Sequence, residues 1–283
     1  MEPCPGSSFF SVARNEPTFP AELRQLSSIP TTLWVSGRLP SAGTPAIAIV
    51  GSRAATTAAC RRAEAFARAV AGAGYDVVSG GALGIDAAAH RGALAAGGAT
   101  FAVLGCGIDV VYPDRHAALF AEIAITGGVL TELEPGTQPK RQHFPSRNRL
   151  VAALAGTTIV VEARDGSGAL ITANFASKLG RRVLAVPGSA GCDALLAAGR
   201  AEAIEDAAGL LDRLAGRAPV SVEAPTALAA VVAALRAGAA TPSDVARRMA
   251  ATLPATLALL AEVELAGWVR RAPGGKFEVL RAN

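Results

Sequence analysis

The residues best equipped for chemistry form one dense run, Lys140-Arg141-Gln142-His143-Phe144-Pro145-Ser146-Arg147-Asn148-Arg149. It carries four formal positive charges, no acid and one aromatic ring. Cations can hold a nucleic-acid backbone while an aromatic face stacks on a base, a contact worth about 1–3 kcal/mol. A solvated basic loop is the plain alternative, but a bare phenylalanine gains nothing there. Three other segments bear groups suited to anions. Gly51-Ser52-Arg53 offers close backbone approach, a hydroxyl, free amides and a cation; an ordinary strand-to-helix turn is its bland reading. Ser79-Gly80-Gly81-Ala82-Leu83-Gly84-Ile85-Asp86 could bare its amides to an anion at the start of a helix. Ser167 and Gly168 could bind phosphate at another helix start, or Ser167 could simply cap that helix. Asp86 and His90 stand four apart on a predicted helix, where they could form an acid–base pair or a structural hydrogen bond.

The usual enzymatic sets are missing. Histidine occurs only at 90, 116 and 143, with no nucleophile elbow and no metal-ligand spacing. The glycines after the first three predicted strands do not make G-x-G-x-x-G, so a nicotinamide dinucleotide site is not supported. An enzyme would have to rest on Glu162, Asp86 or Asp165. An alternative function is a nucleotide-sugar phosphoribohydrolase, an enzyme class built on a related Rossmann-like sheet, with Glu162 as acid/base. The only Pro-Gly-Gly run, Pro273-Gly274-Gly275, lies far from that glutamate.

These segments need a scaffold. Ala46–Val50, Asp76–Ser79, Phe101–Leu104, Val129–Thr131, Thr158–Val161 and Val183–Val186 read as strands. Helical patterns fall between them, at 56–73, 83–96 and near 115–126, 145–155, 168–179 and 203–214, with a further helix starting at Gly191-Cys192-Asp193. Such alternation predicts an α/β fold, an extended Rossmann-like parallel sheet with helices on both faces. Ligands bind beyond the carboxyl ends of such strands, where all four segments fall. Residues 1–45 are Pro/Ser-rich and lead into the sheet, with Thr32–Gly37 as an added edge strand. The Rossmann-like domain spans 46–214 and a linker spans 215–225. Residues 226–283 then read as three helices and a hairpin, the order of a winged helix. Thr241-Pro242-Ser243-Asp244 opens the second of these helices, with Thr as N-cap, Pro at N1 and an acid at N3.

Bulk properties agree. The 283 residues are 51% hydrophobic and 18% charged, enough to build a core, and the net charge of +4 permits nucleic acid without demanding it. Lysine occurs only at 140, 178 and 276, so arginine supplies most cations, and its planar fork suits phosphate. Cys4, Cys60, Cys106 and Cys192 fit no zinc pattern and read as reduced thiols. No signal peptide or membrane span is expected, and a cytoplasmic location follows.

The ordered set of motifs resembles the DprA/Smf family of DNA-processing proteins. The resemblance is carried by Ile49-Val50-Gly51-Ser52-Arg53; Ser79-Gly80-Gly81-Ala82 with Gly84-Ile85-Asp86 and Ala89-His90; Ala102-Val103-Leu104-Gly105 with Tyr112-Pro113; Phe144-Pro145 with Arg147-Asn148-Arg149; Glu162-Ala163 with Ser167-Gly168-Ala169-Leu170-Ile171-Thr172-Ala173; and Val186-Pro187-Gly188. It covers about residues 20–213 and implies a homodimeric, non-enzymatic mediator without a cofactor. Such a mediator binds single-stranded DNA, protects incoming strands and loads the RecA recombinase during natural transformation. It further implies that Ser52, Arg53 and the Gly80–Gly81 loop bind phosphates. Lys140 and Arg147 would hold the backbone, Phe144 would stack on a base, Asn148 and Arg149 would complete the pocket, and Ser167 and Gly168 would cap the groove. Three to five phosphate contacts would give a salt slope of about −2 to −3.5. The chain departs from the family in lacking an N-terminal helical domain, in Asp193 where Asn is usual, and in Ala155 where Ser is usual. A carboxylate in the groove would repel phosphate. The C-terminal unit matches the family's small winged helix, but its third helix, Pro254–Ala266, has Glu262 and Glu264 and no Lys or Arg. That argues for a partner-binding or dimer-supporting role over duplex reading, with Arg270, Arg271 and Lys276 of the wing left to touch phosphate.

Overall fold

Short apolar runs become the strands of the first unit. In the computed structural model the described residues are 8–41, 43–215, 230–231, 233–235, 237–238, 241–265, 269–272 and 275–279. The chain divides into two compact units, Met1–Ala215 and Gly216–Asn283. In chain order the first holds strands β1 (Phe9–Ala13), β2 (Thr32–Gly37), β3 (Ala46–Val50), β4 (Asp76–Ser79), β5 (Thr100–Val103), β6 (Gly128–Thr131), β7 (Thr157–Val160), β8 (Arg182–Ala185) and β9 (Glu202–Ala203). Its helices are α1 (Thr57–Gly72), α2 (Ile85–Ala95), α3 (Ala117–Thr126), α4 (His143–Leu154), α5 (Gly168–Lys178), α6 (Ala190–Ala197) and α7 (Ala207–Ala215).

All nine strands join one sheet in the order β1-β2-β6-β5-β4-β3-β7-β8-β9. From β6 to β9 every pairing is parallel, while β2 runs antiparallel to β6 and β1 antiparallel to β2. Every residue of β3 to β7 is buried, as a sheet covered on both faces requires. Alternate residues serve opposite faces. Ala48, Val50, Val103 and Val160 pack with Leu150 and Val151 of α4, Ala173 of α5 and Leu195 of α6. Ile47, Ile49 and Ile159 pack with Phe66 and Val70 of α1, Ile85 and Ala89 of α2 and Leu210 of α7. α3 covers Ala102 and Val129 through Leu119 and Ile123.

The order places β4 on one side of β3 and β7 on the other. That reversal opens a crevice between the loops that follow β3 and β7. Two expectations need correction. Thr32–Gly37 is a strand but not the edge, because Phe9–Ala13 pairs outside it. The helix expected at 203–214 starts only at Ala207, because Glu202–Ala203 first adds a short strand beside β8. Arg182 reaches Glu202 at 2.5 Å and Arg213 reaches it at 3.4 Å, so this edge is short and charged.

In the second unit, residues 230–231 and 233–235 are helical, followed by α8 (Pro242–Arg248), α9 (Leu253–Leu265) and the antiparallel pair β10 (Val269–Ala272) and β11 (Lys276–Val279). The expected capping box is present. The Thr241 hydroxyl accepts from the Asp244 amide at 3.3 Å, and Asp244 Oδ2 accepts from the Thr241 amide at 3.2 Å. Val231, Leu235, Val245, Leu260, Val269 and Phe277 form a separate core. The linker at 216–225, the turn at 273–274 and the side chains of Glu262, Arg270 and Arg271 lie outside the described residues; Lys276 is exposed. Among the described residues no helix is long and apolar enough to cross a membrane.

Candidate nucleic-acid interface

The carboxyl ends of β3, β4 and β7 open onto a groove of ≈ 730 Å³. Its lining includes Gly51, Ser52, Arg53, Gly80, Asp86, Arg141, Phe144, Arg147, Asn148, Arg164, Ser167 and Gly168. The structure thus gathers most of the expected residues at one place. Gly81 lies in a smaller adjoining recess with Leu104, Tyr112 and Pro113. Lys140 is exposed but is not a lining residue, and Arg149 turns away from the groove to pair with Glu132 at 2.5 Å.

Two glycine loops lock together at the floor. The Ser52 amide donates to the Glu162 carbonyl at 2.8 Å, and the Ile85 amide donates to the Ser52 carbonyl at 3.3 Å. Gly84 has φ +74°, and a Cβ there would lie 2.3 Å from the Ser52 oxygen. Only glycine meets both demands without strain.

Phe144 occupies the first turn of α4, so the basic run is helical from His143 onward rather than a loop. Its ring lies against Gly105, where a Cβ would come within 2.9 Å of Cδ1. Tyr112 stands beside it with ring centroids 5.5 Å apart, and the Arg53 guanidinium carbon sits 4.5 Å from the ring centroid. This is a cation–π contact at the groove wall. Arg53, Arg141 and Arg164 are exposed lining residues and have no ion pair among the described residues. Residue type and sequence position alone gave Arg141 and Arg164 no separate role. Arg164 follows β7 directly but sits beside Asp165, which hid it.

Arg147 differs from the expectation of a phosphate-facing cation. It is 4% exposed, and Nη1 donates to the Gly80 and Val103 carbonyls at the ends of β4 and β5. Burial lowers its pKa to about 10, partly opposed by Asp86, so it stays charged at neutral pH. The Asp86 pKa is raised by burial, with Arg147 acting the other way. Asp86 and His90 take separate partners. Asp86 Oδ2 accepts from the Ala82 amide at 3.3 Å, while His90 Nδ1 lies 2.7 Å from Thr100 Oγ1. Thr100 Oγ1 in turn donates to the Val77 carbonyl, which makes His90 Nδ1 the donor.

Ser167 has the backbone of an N-cap, yet its hydroxyl makes no cap bond and is buried without a protein partner. Asn148 reaches the same corner, donating to the Gly168 carbonyl at 2.9 Å. Glu162 is committed elsewhere. Its carboxylate accepts from the Thr56 amide at 3.2 and 3.3 Å and from the Thr56 hydroxyl at 2.8 Å, closing the N-terminus of α1.

The family model described as DNA recombination-mediator protein A matches residues 11–215, and the DprA winged helix domain model matches residues 197–275. The chain belongs to the DprA family. A DNA processing protein DprA of Mycobacterium tuberculosis is 42% identical over 281 residues, covering 93% of this chain and 72% of that protein. DNA processing protein A of Streptococcus pneumoniae superposes with a TM-score of 0.68 at 38% identity, over 72% of this chain and 74% of that one. The Helicobacter pylori protein, described for its single-stranded DNA binding mode, gives 0.67 at 30% identity, over 73% and 95%. Against the DprA pattern, Asp193 is the departure that raised a conflict with phosphate. Its Oδ1 accepts from the Gly188 amide at 2.8 Å, and it is not a lining residue of the groove. The carboxylate stabilises its own turn.

Proposed function

We propose that the groove binds single-stranded DNA and that the protein is a recombination mediator without catalytic activity. The observation that carries this reading is Phe144 held beneath Arg53 on the wall of an open groove with exposed arginines. Arg53, Arg141 and Arg164 hold phosphates, with Lys140 extending the track outside the groove. The Ser52 hydroxyl, the Gly51 and Gly80–Gly81 amides and the unpartnered Ser167 hydroxyl beside Gly168 add neutral donors. A base stacks on Phe144 in exchange for Arg53. Asn148 through the Gly168 carbonyl, and Arg149 through Glu132, hold the second turn of α4 in place. The H. pylori relative's described DNA binding supports the ligand class.

In this reading a homodimer protects incoming strands and loads RecA during natural transformation, and the winged helix supports dimer or partner contacts. Titration of the full chain with single-stranded and duplex oligonucleotides at several salt concentrations tests the ligand. Preference for single strands is expected; equal affinity for both would refute it. RecA filament growth on strands covered by a single-strand-binding protein tests the mediator step, with faster growth expected when this protein is added.

A further inference from the structure

Of all the cations lining the groove, only Arg147 is buried, and the residue facing it is an acid. Arg147 comes from α4 and Asp86 from the first turn of α2. They meet over Gly80. A Cβ there would lie 2.6 Å from Arg147 Nη1, 2.6 Å from Nη2 and 2.6 Å from Asp86 Oδ2. The two side chains thus occupy the space that any larger residue at 80 would fill.

Each also grips backbone. Arg147 binds the Gly80 and Val103 carbonyls, and Asp86 binds the Ala82 amide. Ser79 ties the same strand end to β3 by donating to the Ile49 carbonyl at 2.6 Å. The 80–84 loop then passes its position to the Ser52–Arg53 turn through the contact of Gly84 and Ile85 with the Ser52 carbonyl. A path of direct contacts runs from the buried charges to the cation over Phe144.

We propose that Asp86 and Arg147 are positioning residues for the DNA groove, a buried pair of opposite charges that fixes the 80–84 loop and, through it, Arg53. Arg147 then serves DNA binding without touching phosphate, and Asp86, an acid in a groove for a polyanion, favours binding. This inference rests on the single-stranded DNA reading of the groove.

The sign of one substitution separates positioning from simple electrostatics. Asp86→Asn removes a negative charge from the groove. Electrostatics alone predicts tighter DNA binding. Positioning predicts weaker binding, by roughly tenfold, because the Ala82 amide loses its charged acceptor and Arg147 is left buried without the nearby counter-charge. Arg147→Lys keeps the charge but cannot bridge two carbonyls in the same planar geometry, and it should lose affinity to a similar degree. The double variant should lose much less than the two single losses combined. Amide hydrogen exchange on the DNA-free full chain gives a readout independent of DNA. Within 80–84, the Ala82 amide that Asp86 holds should exchange faster in Asp86→Asn, while those of β3 and β7 keep their wild-type rates. Asp86→Asn binding as tightly as wild type or tighter, or unchanged exchange at 80–84, would overturn the proposal. Faster exchange at 80–84 in a protein whose wild type ignores single-stranded DNA would leave the pair standing and sink the DNA reading instead.

Discussion

The groove makes a quantitative statement about salt. Single-stranded DNA binding weakens with a slope of log K on log salt of about −0.7 for each phosphate held by a cation. Three exposed lining arginines, Arg53, Arg141 and Arg164, give a slope near −2. Arg147 adds nothing to that slope if its guanidinium stays on the two carbonyls. Over a fourfold rise in salt these three contacts should account for about an 18-fold loss, with any contact by Lys140 adding to it. Arg53→Ala removes one contact, giving a slope of about −1.4 and a loss of about 7-fold over the same rise. The variant's disadvantage should therefore shrink by about 2.6-fold from low to high salt. Fluorescence anisotropy with a labelled oligothymidine, at constant temperature and pH, measures both slopes. A wild-type slope unchanged by Arg53→Ala would refute the phosphate role of Arg53. A slope steeper than about −3.5 would mean that cations outside the groove dominate.

Other perturbations follow from single contacts. Phe144→Ala should weaken single-strand binding by about 1–3 kcal/mol at every salt concentration and leave the slope unchanged; isothermal calorimetry would expose a smaller loss. His90 is held neutral by burial, with its pKa lowered to about 3 from 6.5. Below pH 6.5 the unfolded chain takes up a proton that the folded chain refuses, so stability falls as pH falls towards 3. By pH 5 the loss should be ~2 kcal/mol, read from urea unfolding against His90→Asn, whose pH dependence should be flatter. Glu162→Ala should cost about 1 kcal/mol of stability through the lost closure of α1. It should leave nucleoside monophosphates intact, as in wild type; wild-type release of free base, abolished by this substitution, would restore the hydrolase alternative.

How far the sequence reveals the fold depends on how local each cause is. Ala46–Val50, Asp76–Ser79 and Thr32–Gly37 are strands over the very residues expected, because their apolar runs end at glycine or serine. That Thr32–Gly37 is not the edge is hidden from the sequence, because Phe9–Ala13 follows a Pro/Ser-rich start and pairs only through a long-range register. Glu202–Ala203 is too short to leave a pattern of its own. The site was legible as a set of loops because parallel sheets place loops after strands at one end. Its internal division was not. A run of cations reads as solvent-facing, and nothing near Arg147 in sequence announces the carbonyls of residues 44 and 67 positions away that bury it. Ser167 likewise has the sequence and backbone of a cap, while its hydroxyl is left without a protein partner.

The contact between Gly84 and the Ser52 carbonyl has a consequence for inheritance and for engineering. Two loops that are 32 positions apart in the chain share one small volume, so neither can be lengthened, grafted or redesigned alone. A side chain at 84 would displace the backbone next to Arg53, and a changed path at 52 would remove the acceptor of the Ile85 amide. Transplanting this groove onto another parallel sheet would mean moving both loops together with the spacing of β3 and β4. Homologous exchange of either loop by itself should give chimaeras that fold around the same core and lose the groove.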